Sequence, residues 1–298
     1  MRFERWMRWT LGEALARTVS VSFVNVAGRV TNTVGQSFLG TLVIGLVQMI
    51  GGATFARVAK VSLLPGRDLV GWCFVFGFFS VGQTVLLFLI FAQGGDMGVV
   101  VFIVTLSMIP GALVDWLWLR RARLTTRGWM GVFIGALALW SMLDFAGWNN
   151  LPVGSAWMLM AFGIMFMITI NQAVTYKVRA INPHVKNFWV GLFTILLCAP
   201  SLFLVDLANL PLRFWSVSAF VGLCVIAIVI TNLMAYKDDA LMAIKKLTMF
   251  GVFLTLSSLV GVIVFSDALT AGKVFGVLLF IPAFHLLQTG KEILAKSA

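Results

Sequence analysis

The stretch TTRGWMGVFIGALALW, residues 125–140, sets a cation directly before an apolar run. The run continues to residue 146, so residues 128–146 approach the roughly 20 residues that a membrane-spanning helix needs. The loop before the run carries four cations, Arg120, Arg121, Arg123 and Arg127. Cytoplasmic loops retain Lys and Arg, because moving clustered cations across a bilayer is unfavourable. The stretch therefore predicts a transmembrane helix that begins at the cytoplasmic side.

Along the whole chain, ten apolar blocks are separated by short loops. They cover residues 14–33, 38–56, 69–92, 97–119, 128–146, 153–176, 187–206, 215–236, 242–265 and 272–289. Backbone polar groups in lipid must be satisfied within their own segment, so each block predicts a helix. Arg17 and Arg29 lie near the ends of the first block, where snorkelling relieves most of the cost of a membrane cation. The alternative for this region is an amphipathic surface helix over residues 1–35, which leaves nine spans.

The cations of the chain alternate with these blocks. Eighteen of the 22 Lys and Arg residues fall on one side of the predicted topology. They are Arg2, Arg5, Arg8, Arg57, Lys60, Arg67, Arg120, Arg121, Arg123, Arg127, Lys177, Arg179, Lys186, Lys237, Lys245, Lys246, Lys291 and Lys296. This asymmetry predicts an integral, multi-pass protein of a bacterial inner (plasma) membrane, with both termini cytoplasmic.

Composition excludes several classes of protein. With 60% hydrophobic and 11% charged residues, the chain has too little polarity for a water-soluble globule. The net charge of +11 is dispersed among loops, so membrane topology explains it and we expect no nucleic-acid partner. The cysteines Cys73, Cys198 and Cys224 lie inside apolar blocks, where they are interpreted as packing residues. We expect no metal, no cofactor and no catalysis.

The two halves of the chain have the same layout. The stretch SDALTAGKVFGVLLF, residues 266–280, occupies in the second half the position that residues 125–140 occupy in the first. Residues 1–147 and 148–298 thus each hold five predicted spans, and an odd number inserts the second half upside down. The predicted fold class is an all-α integral membrane protein built from two inverted five-helix repeats.

These repeated residues resemble the EamA-type repeat of the drug/metabolite transporter superfamily. The second half has Asp267, Leu269, Thr270 and Gly276 at the positions of its motif. The first half has Leu124, Thr125, Gly131 and Gly135, with Pro110 upstream. The first half has no acid at the motif position, which falls near Ala122, and the ninth span lacks the matching proline. The resemblance implies a ten-span carrier of small metabolites with cytoplasmic termini.

Polar side chains inside spans are candidates for a solute site, because such groups face the bundle interior or a wet cavity. The candidates are Asn25, Gln83, Thr84, Thr169, Gln172, Tyr176 and Asn232. Thr169, Gln172 and Tyr176 share one helical face by their spacing. The alternative for these groups is interhelical hydrogen bonding. Tyr236 is interpreted as an interfacial anchor.

Two residues are candidates for coupling transport to protons. Asp115 is an acidic residue well inside a strong apolar block, the fourth, and His285 lies in the tenth block. The alternatives are a salt bridge or solvated position near the cytoplasmic boundary for Asp115 and a packing role for His285. The sequence also allows transport that is driven by the solute gradient alone, without proton coupling.

The sequence therefore predicts a secondary transporter that exports a small organic metabolite, such as an amino acid or a drug-like solute, by alternating access. The alternative is a flippase for a lipid or lipid-linked metabolite on the same scaffold. An enzyme is disfavoured, because only His184 and His285 are available and the loops are short. A channel is disfavoured because no ring of charge is visible. The expected partners are the solute and membrane lipid, and the expected state is a monomer or homodimer.

Overall fold

The computed structural model describes residues 4–28, 33–95, 97–142, 155–265 and 270–294, and within these residues each predicted apolar block contains a helix. The helices are α1 (Arg5–Gly28), α2 (Val34–Val58), α3 (Arg67–Ala92), α4 (Met97–Thr105), α5 (Met108–Leu113), α6 (Thr126–Met142), α7 (Ala156–Lys177), α8 (Pro183–Cys198), α9 (Leu212–Lys237), α10 (Met242–Phe265) and α11 (Ala271–Thr289). A π-helical turn, Val114–Trp118, follows α5, and a 3₁₀ turn, Ala199–Phe203, extends α8. The predicted boundary at residues 147 and 148, together with Arg29, Asp267 and Leu269, lies outside the described residues.

Within the part of the chain that the structure describes, six helices are long and apolar enough to cross a membrane. They are α2, α3, α7, α8 with its 3₁₀ extension, α9 and α11. Many large apolar side chains of these helices are exposed, for example Phe78 and Leu278, each more than half accessible. A water-soluble bundle would bury such side chains, whereas lipid solvates them. The protein is an all-α membrane protein, as its composition predicts.

The first helix begins nine residues earlier than the apolar block predicts. Helix α1 starts at Arg5 and packs against α9, α10 and α3. Arg17 therefore lies twelve residues, or about 18 Å, into the helix rather than near its start. The predicted snorkelling of Arg17 is wrong, because the side chain instead binds Glu13 inside the bundle.

The fourth predicted span is broken rather than continuous. Leu106 and Ser107 form a turn between α4 and α5, with i→i+3 backbone hydrogen bonds to Ile103 and Val104. Pro110 explains the break, because it has no N–H to give to the carbonyl of Leu106 and its ring crowds that carbonyl. The break exposes the hydroxyl of Ser107 to a partner on α10.

Glycines bring pairs of helices into close contact. A Cβ at Gly191 on α8 would lie 2.5 Å from the Met49 nitrogen and 2.7 Å from the Gly45 oxygen on α2. A Cβ at Gly131 on α6 would lie 2.8 Å from the Ala283 oxygen on α11. Gly131 is the first glycine of the GVFIG run at residues 131–135, and glycines four residues apart are a common signal for close helix packing in membranes.

The two ends of the chain meet at one end of the bundle. Gln288, near the end of α11, donates a 3.1 Å hydrogen bond to Glu4. Strand β1 (Ala122–Leu124) pairs antiparallel with strand β2 (Lys291–Ile293), and the exposed Glu292 accepts a 2.7 Å hydrogen bond that raises the pKa of Arg123. Three-residue strands have no visible periodicity, so this small sheet was not predicted. We call this end, which holds Arg121, Arg179, Lys237 and Lys291, the basic end.

Candidate solute cavity and its buried charges

A cavity of about 150 Å³ lies in the interior of the bundle, between α1, α3, α4, α7, α9 and α10. Its walls are mostly Val, Ile, Leu and Phe side chains from all six helices. The polar residues that line it are Arg17, Ser20, Ser80, Gln83, Thr84, Asn171, Gln172 and Asn232. An apolar pocket with a few polar groups is typical of sites for small organic molecules.

Four of the seven predicted site residues line this cavity: Gln83, Thr84, Gln172 and Asn232. Thr84 donates its hydroxyl to the Ser80 carbonyl, one turn back on α3. The Gln83 amide nitrogen is buried and has no hydrogen-bond partner among the described residues. Gln83 therefore holds an unpaired donor next to the cavity, and an unpaired buried donor is costly unless a ligand or water satisfies it.

The other three predicted residues lie away from the cavity wall. Thr169 is buried but donates to the Met165 carbonyl of its own helix. Tyr176 lies at the basic end, where its ring contacts the guanidinium groups of Arg121 and Arg179 at 4.0 and 3.8 Å. Asn25 is half-buried on α1. On α7 the residues that face the cavity are Ile164, Ile168, Asn171 and Gln172, so the helix is rotated relative to the predicted polar face.

A carboxylate at the basic side of the cavity organises three helices. Glu13 on α1 is completely buried. One of its oxygens accepts hydrogen bonds from Arg17 at 2.8 and 3.0 Å and from Asn232 on α9 at 3.2 Å. The other oxygen binds the ammonium group of Lys245 on α10. The first predicted span begins at residue 14 and leaves Glu13 outside, whereas α1 starts at Arg5 and brings this carboxylate into the bundle.

Three cations predicted to lie on the cytoplasmic side are buried in the bundle. Lys186, Lys245 and Lys246 are each at most 1% exposed. Helix α8 begins at Pro183 and α10 begins at Met242, so these lysines lie in the first turns of helices and face inward. The sequence grouped these three residues with the cytoplasmic cations, and their burial was not predicted. For α8 the sequence does signal where the helix begins, because Asn182 is a favourable N-cap residue and Pro183 follows it.

Two of these lysines have hydroxyl groups as partners. Lys186 donates to Thr175 at 2.8 Å, and its nitrogen lies 3.9 Å from the centre of the Phe76 ring, which itself lines the cavity. Lys246 donates to Ser107 at 2.7 Å, at the break between α4 and α5. Neither contact supplies a negative charge.

Gln172 connects the charged groups around Glu13, which we call the charge cluster, to the basic end. Its amide oxygen accepts a 2.7 Å hydrogen bond from the Tyr236 hydroxyl and a 3.3 Å hydrogen bond from Lys245. Tyr236 is completely buried, so its interpretation as an interfacial anchor is wrong. The ring of Tyr236 packs edge-on against Tyr176, and Arg121 lies beyond it. Polar contacts thus close the cavity towards the basic end.

The two coupling candidates occupy different environments. Asp115 is buried in the π-helical turn and accepts a 2.6 Å hydrogen bond from the Met242 backbone, at the start of α10. Its other oxygen lies 3.5 Å from Arg121, which also donates to the Ala240 carbonyl. Asp115 therefore anchors the N-terminus of α10 and forms a salt bridge, the second of its two interpretations. His285 is exposed on α11 and does not line the cavity.

A solved crystal structure of a protein has the same fold. The two superimpose with a TM-score of 0.70 over 97% of this chain and 99% of that chain, at 14% sequence identity. No protein-family model matches this chain, and no curated protein matches it. At this identity the likeness shows the fold alone.

Proposed function

We propose that the protein is a secondary transporter of a small organic solute, of the drug/metabolite transporter type. The observation that carries this proposal is the cavity, whose walls come from the first and second halves of the chain together. Sites at the junction of two halves are typical of secondary transporters, in which one half moves against the other around a fixed site.

The pairing of helices supports two inverted five-span halves. If α1 to α6 form the first half, with α4 and α5 as one span, then α7 to α11 form the second. Under this correspondence the contact of α1 with α9 is matched by that of α7 with α3, and α2 with α9 is matched by α8 with α3. The contacts of α2 with α8 and of α6 with α11 each join two corresponding helices, so the correspondence maps each of these contacts onto itself. Such reciprocal pairing is expected of an inverted repeat.

The ends of the chain support a topology with both termini on one side. Glu4 and Gln288 are in hydrogen-bond contact at the basic end, where the basic loop around Arg123 also pairs with the C-terminal strand. Helix α1 has 24 residues, or about 36 Å, which is enough to span a bilayer core of about 30 Å. An even number of spans with cytoplasmic termini accounts for both observations.

The size of the cavity favours a small solute over a lipid. About 150 Å³ is roughly ten times the space of ~10–15 Å³ that one water molecule requires. A cavity of this size suits a small metabolite with an apolar part and a few polar groups, whereas a phospholipid is far larger. The solute is exported by alternating access, with the hydrogen bonds of Glu13 and Gln172 forming the closed side towards the basic end.

A metabolite-exclusion screen combined with one matched pair of variants tests the proposal. Metabolites in the cells and in the medium are compared between cells that overexpress the wild-type chain and cells that overexpress Gln83→Leu. Gln83 lines the cavity, and its unused donor is removed without disturbing a hydrogen bond among the described residues. We expect the solute that the wild type exports to be retained in Gln83→Leu cells, with a flux at least about ten-fold lower, the equivalent of one lost hydrogen bond in a dry site.

Gln93→Leu is the control, because Gln93 is the exposed C-terminal cap of the same helix and lies outside the cavity wall. It should transport as the wild type does. Both variants should reach the membrane in equal amounts. Equal flux of every exported metabolite in the wild type and Gln83→Leu would show that the solute does not pass through this cavity.

A further inference from the structure

The buried charges around the cavity do not balance. Among the described residues, the cations that interact electrostatically with the buried carboxylates of this region are Arg17, Arg121, Lys186, Lys245 and Lys246. The buried carboxylates are Glu13 and Asp115. Asp115 pairs with Arg121, so Glu13 faces the remaining four cations. Counted at formal charges, Glu13 is thus surrounded by three more cations than carboxylates.

The four cations act on one another as well as on Glu13. Lys246 lies within electrostatic range of Lys245 and Arg17. Lys186 lies within range of Glu13 and Lys245. Removing an ammonium group from water is costly unless an opposite charge compensates it, and hydroxyl partners compensate only part of that cost. An anion in the cavity would supply the missing negative charge.

Arg17 is the cation with direct access to the cavity. It lines the wall, and its side chain keeps 21% of its surface accessible, whereas Lys245 keeps 1%. Two of its five N–H donors bind Glu13, which leaves donors for a ligand. A guanidinium group fits the two oxygens of a carboxylate better than an ammonium group does.

Other groups on the wall complete a site for an anion with an apolar part. Gln83 on α3 and Arg17 on α1 both line the cavity, so polar side chains stand on two of its walls. Phe76, Phe250 and Phe253 contribute apolar surface to the same cavity. The wall therefore offers donors and positive charge at one place and hydrocarbon at another.

We propose that the solute is a small organic carboxylate with an apolar group, bound through Arg17. This inference rests on the transport function proposed above and names its substrate class. The positive charge of Lys186, Lys245 and Lys246 favours the anion from behind the wall, and the aliphatic and aromatic side chains hold the apolar group.

Ligand-induced thermal stabilisation of the purified protein in detergent tests the proposal. The probes are two carboxylates, isovalerate and phenylacetate, and their neutral amides, isovaleramide and phenylacetamide, at constant ionic strength. We expect at least one carboxylate to raise the melting temperature in a saturable manner, and its amide to have no effect at the same concentration. Arg17→Gln should raise the concentration for half-maximal stabilisation by about ten-fold or more, as expected for a lost charge-assisted hydrogen bond.

Arg213→Gln is the matched control, because Arg213 is an exposed cation at the start of α9 outside the cavity. It should bind as the wild type does. Arg17→Lys keeps the charge and should bind with intermediate affinity, which tests the site even if Arg17→Gln folds poorly. Absence of stabilisation by both carboxylates, equal stabilisation by the amides, or wild-type affinity in Arg17→Gln would each overturn the proposal.

The exclusion screen separates this inference from the transport function. If Gln83-dependent export is found for a neutral or cationic solute and the carboxylates do not bind, transport stands and the anion inference fails. If the carboxylates bind through Arg17 but no metabolite shows Gln83-dependent flux, the anion site stands and the transport function fails.

Discussion

At the scale of single residues, Glu13 is the group on which the interior depends. It accepts hydrogen bonds from Arg17 on its own helix, from Asn232 on α9 and from Lys245 on α10. Because Glu13 is completely buried, water cannot replace any of these partners. The carboxylate therefore determines how α1 sits against α9 and α10.

Glu13→Gln should destabilise the protein more than Lys245→Met. The first variant leaves Arg17 and Lys245 without a carboxylate, and breaking a buried ion pair in this way costs about 3–5 kcal/mol. The second variant leaves Glu13 with Arg17 and Asn232 as partners, so a smaller loss is expected. The free energies of unfolding in mixed micelles, followed by tryptophan fluorescence, measure both.

The double variant Glu13→Gln with Lys245→Met completes the cycle. Its loss should be smaller than the sum of the two single losses, because the two groups interact directly. Strict additivity, or a larger loss for Lys245→Met than for Glu13→Gln, would contradict the central role of Glu13.

At the scale of helices, close packing of α2 against α8 holds the two proposed halves together. Besides the contact at Gly191, a buried hydrogen bond of 3.0 Å joins the Gln48 amide nitrogen to the Asn187 oxygen. Both helices bring small residues to this contact, so their backbones approach each other. Such contacts are the usual basis of helix association in lipid.

Gly191→Ala should reduce the free energy of unfolding by about 1–3 kcal/mol, as expected for overpacking, because the added methyl group meets the backbone atoms of Met49 and Gly45. Gly71→Ala on α3 is the control, since a Cβ there meets no atom within 4 Å. The control should be neutral or slightly stabilising, because alanine favours helix over glycine by about 1 kcal/mol. Unfolding measurements that rank the two variants in the opposite order would exclude this packing.

At the scale of the whole molecule, the meeting of the two chain ends is the feature that constrains topology. A ten-span chain with an even number of crossings returns to the side from which it started. The contact between Glu4 and Gln288 and the small sheet β1–β2 are both at the basic end. The proposed cytoplasmic location of the termini follows if the basic end faces the cytoplasm.

Cysteines at positions 4 and 288 should be cross-linked in native membranes by a short bis-maleimide reagent. The substitutions are Glu4→Cys and Gln288→Cys, in a background in which Cys73, Cys198 and Cys224 are replaced by alanine. The long side chains at these positions are in hydrogen-bond contact, so two cysteine thiols there lie within reach of a short bis-maleimide. Gel mobility detects the intramolecular cross-link.

The control pair is Gln36→Cys with Gln288→Cys. Gln36 lies in the first turn of α2, whereas the basic end holds the last turn of that helix, so no cross-link is expected. A cross-link in the control pair and none in the test pair would contradict the topology.

The helical class, the apolar blocks and the close contact at Gly131 could be predicted from the sequence, because each depends on local properties. Lipid excludes unpaired backbone groups, so an apolar run near twenty residues must be helical wherever it packs. Four of seven polar candidates line the cavity for a related reason, since polar groups in a span avoid lipid. The first helix was placed nine residues too late, because its polar first turns faced a buried partner that hydropathy cannot detect.

Only the tertiary structure decided which charged residues lie together around Glu13. Lys186, Lys245 and Lys246 belong to polar segments that are typical of loops, and their inward orientation depends on how α8 and α10 are rotated against their neighbours. Glu13 and Lys245 are 232 positions apart, and Gln172 and Tyr236 are 64 apart. The sequence by itself determined that this chain is a bundle of apolar helices, because that depends on the solvent around each segment. Only the packing of distant helices decided which charges face one another, because a helix can rotate about its axis without any change in its hydropathy.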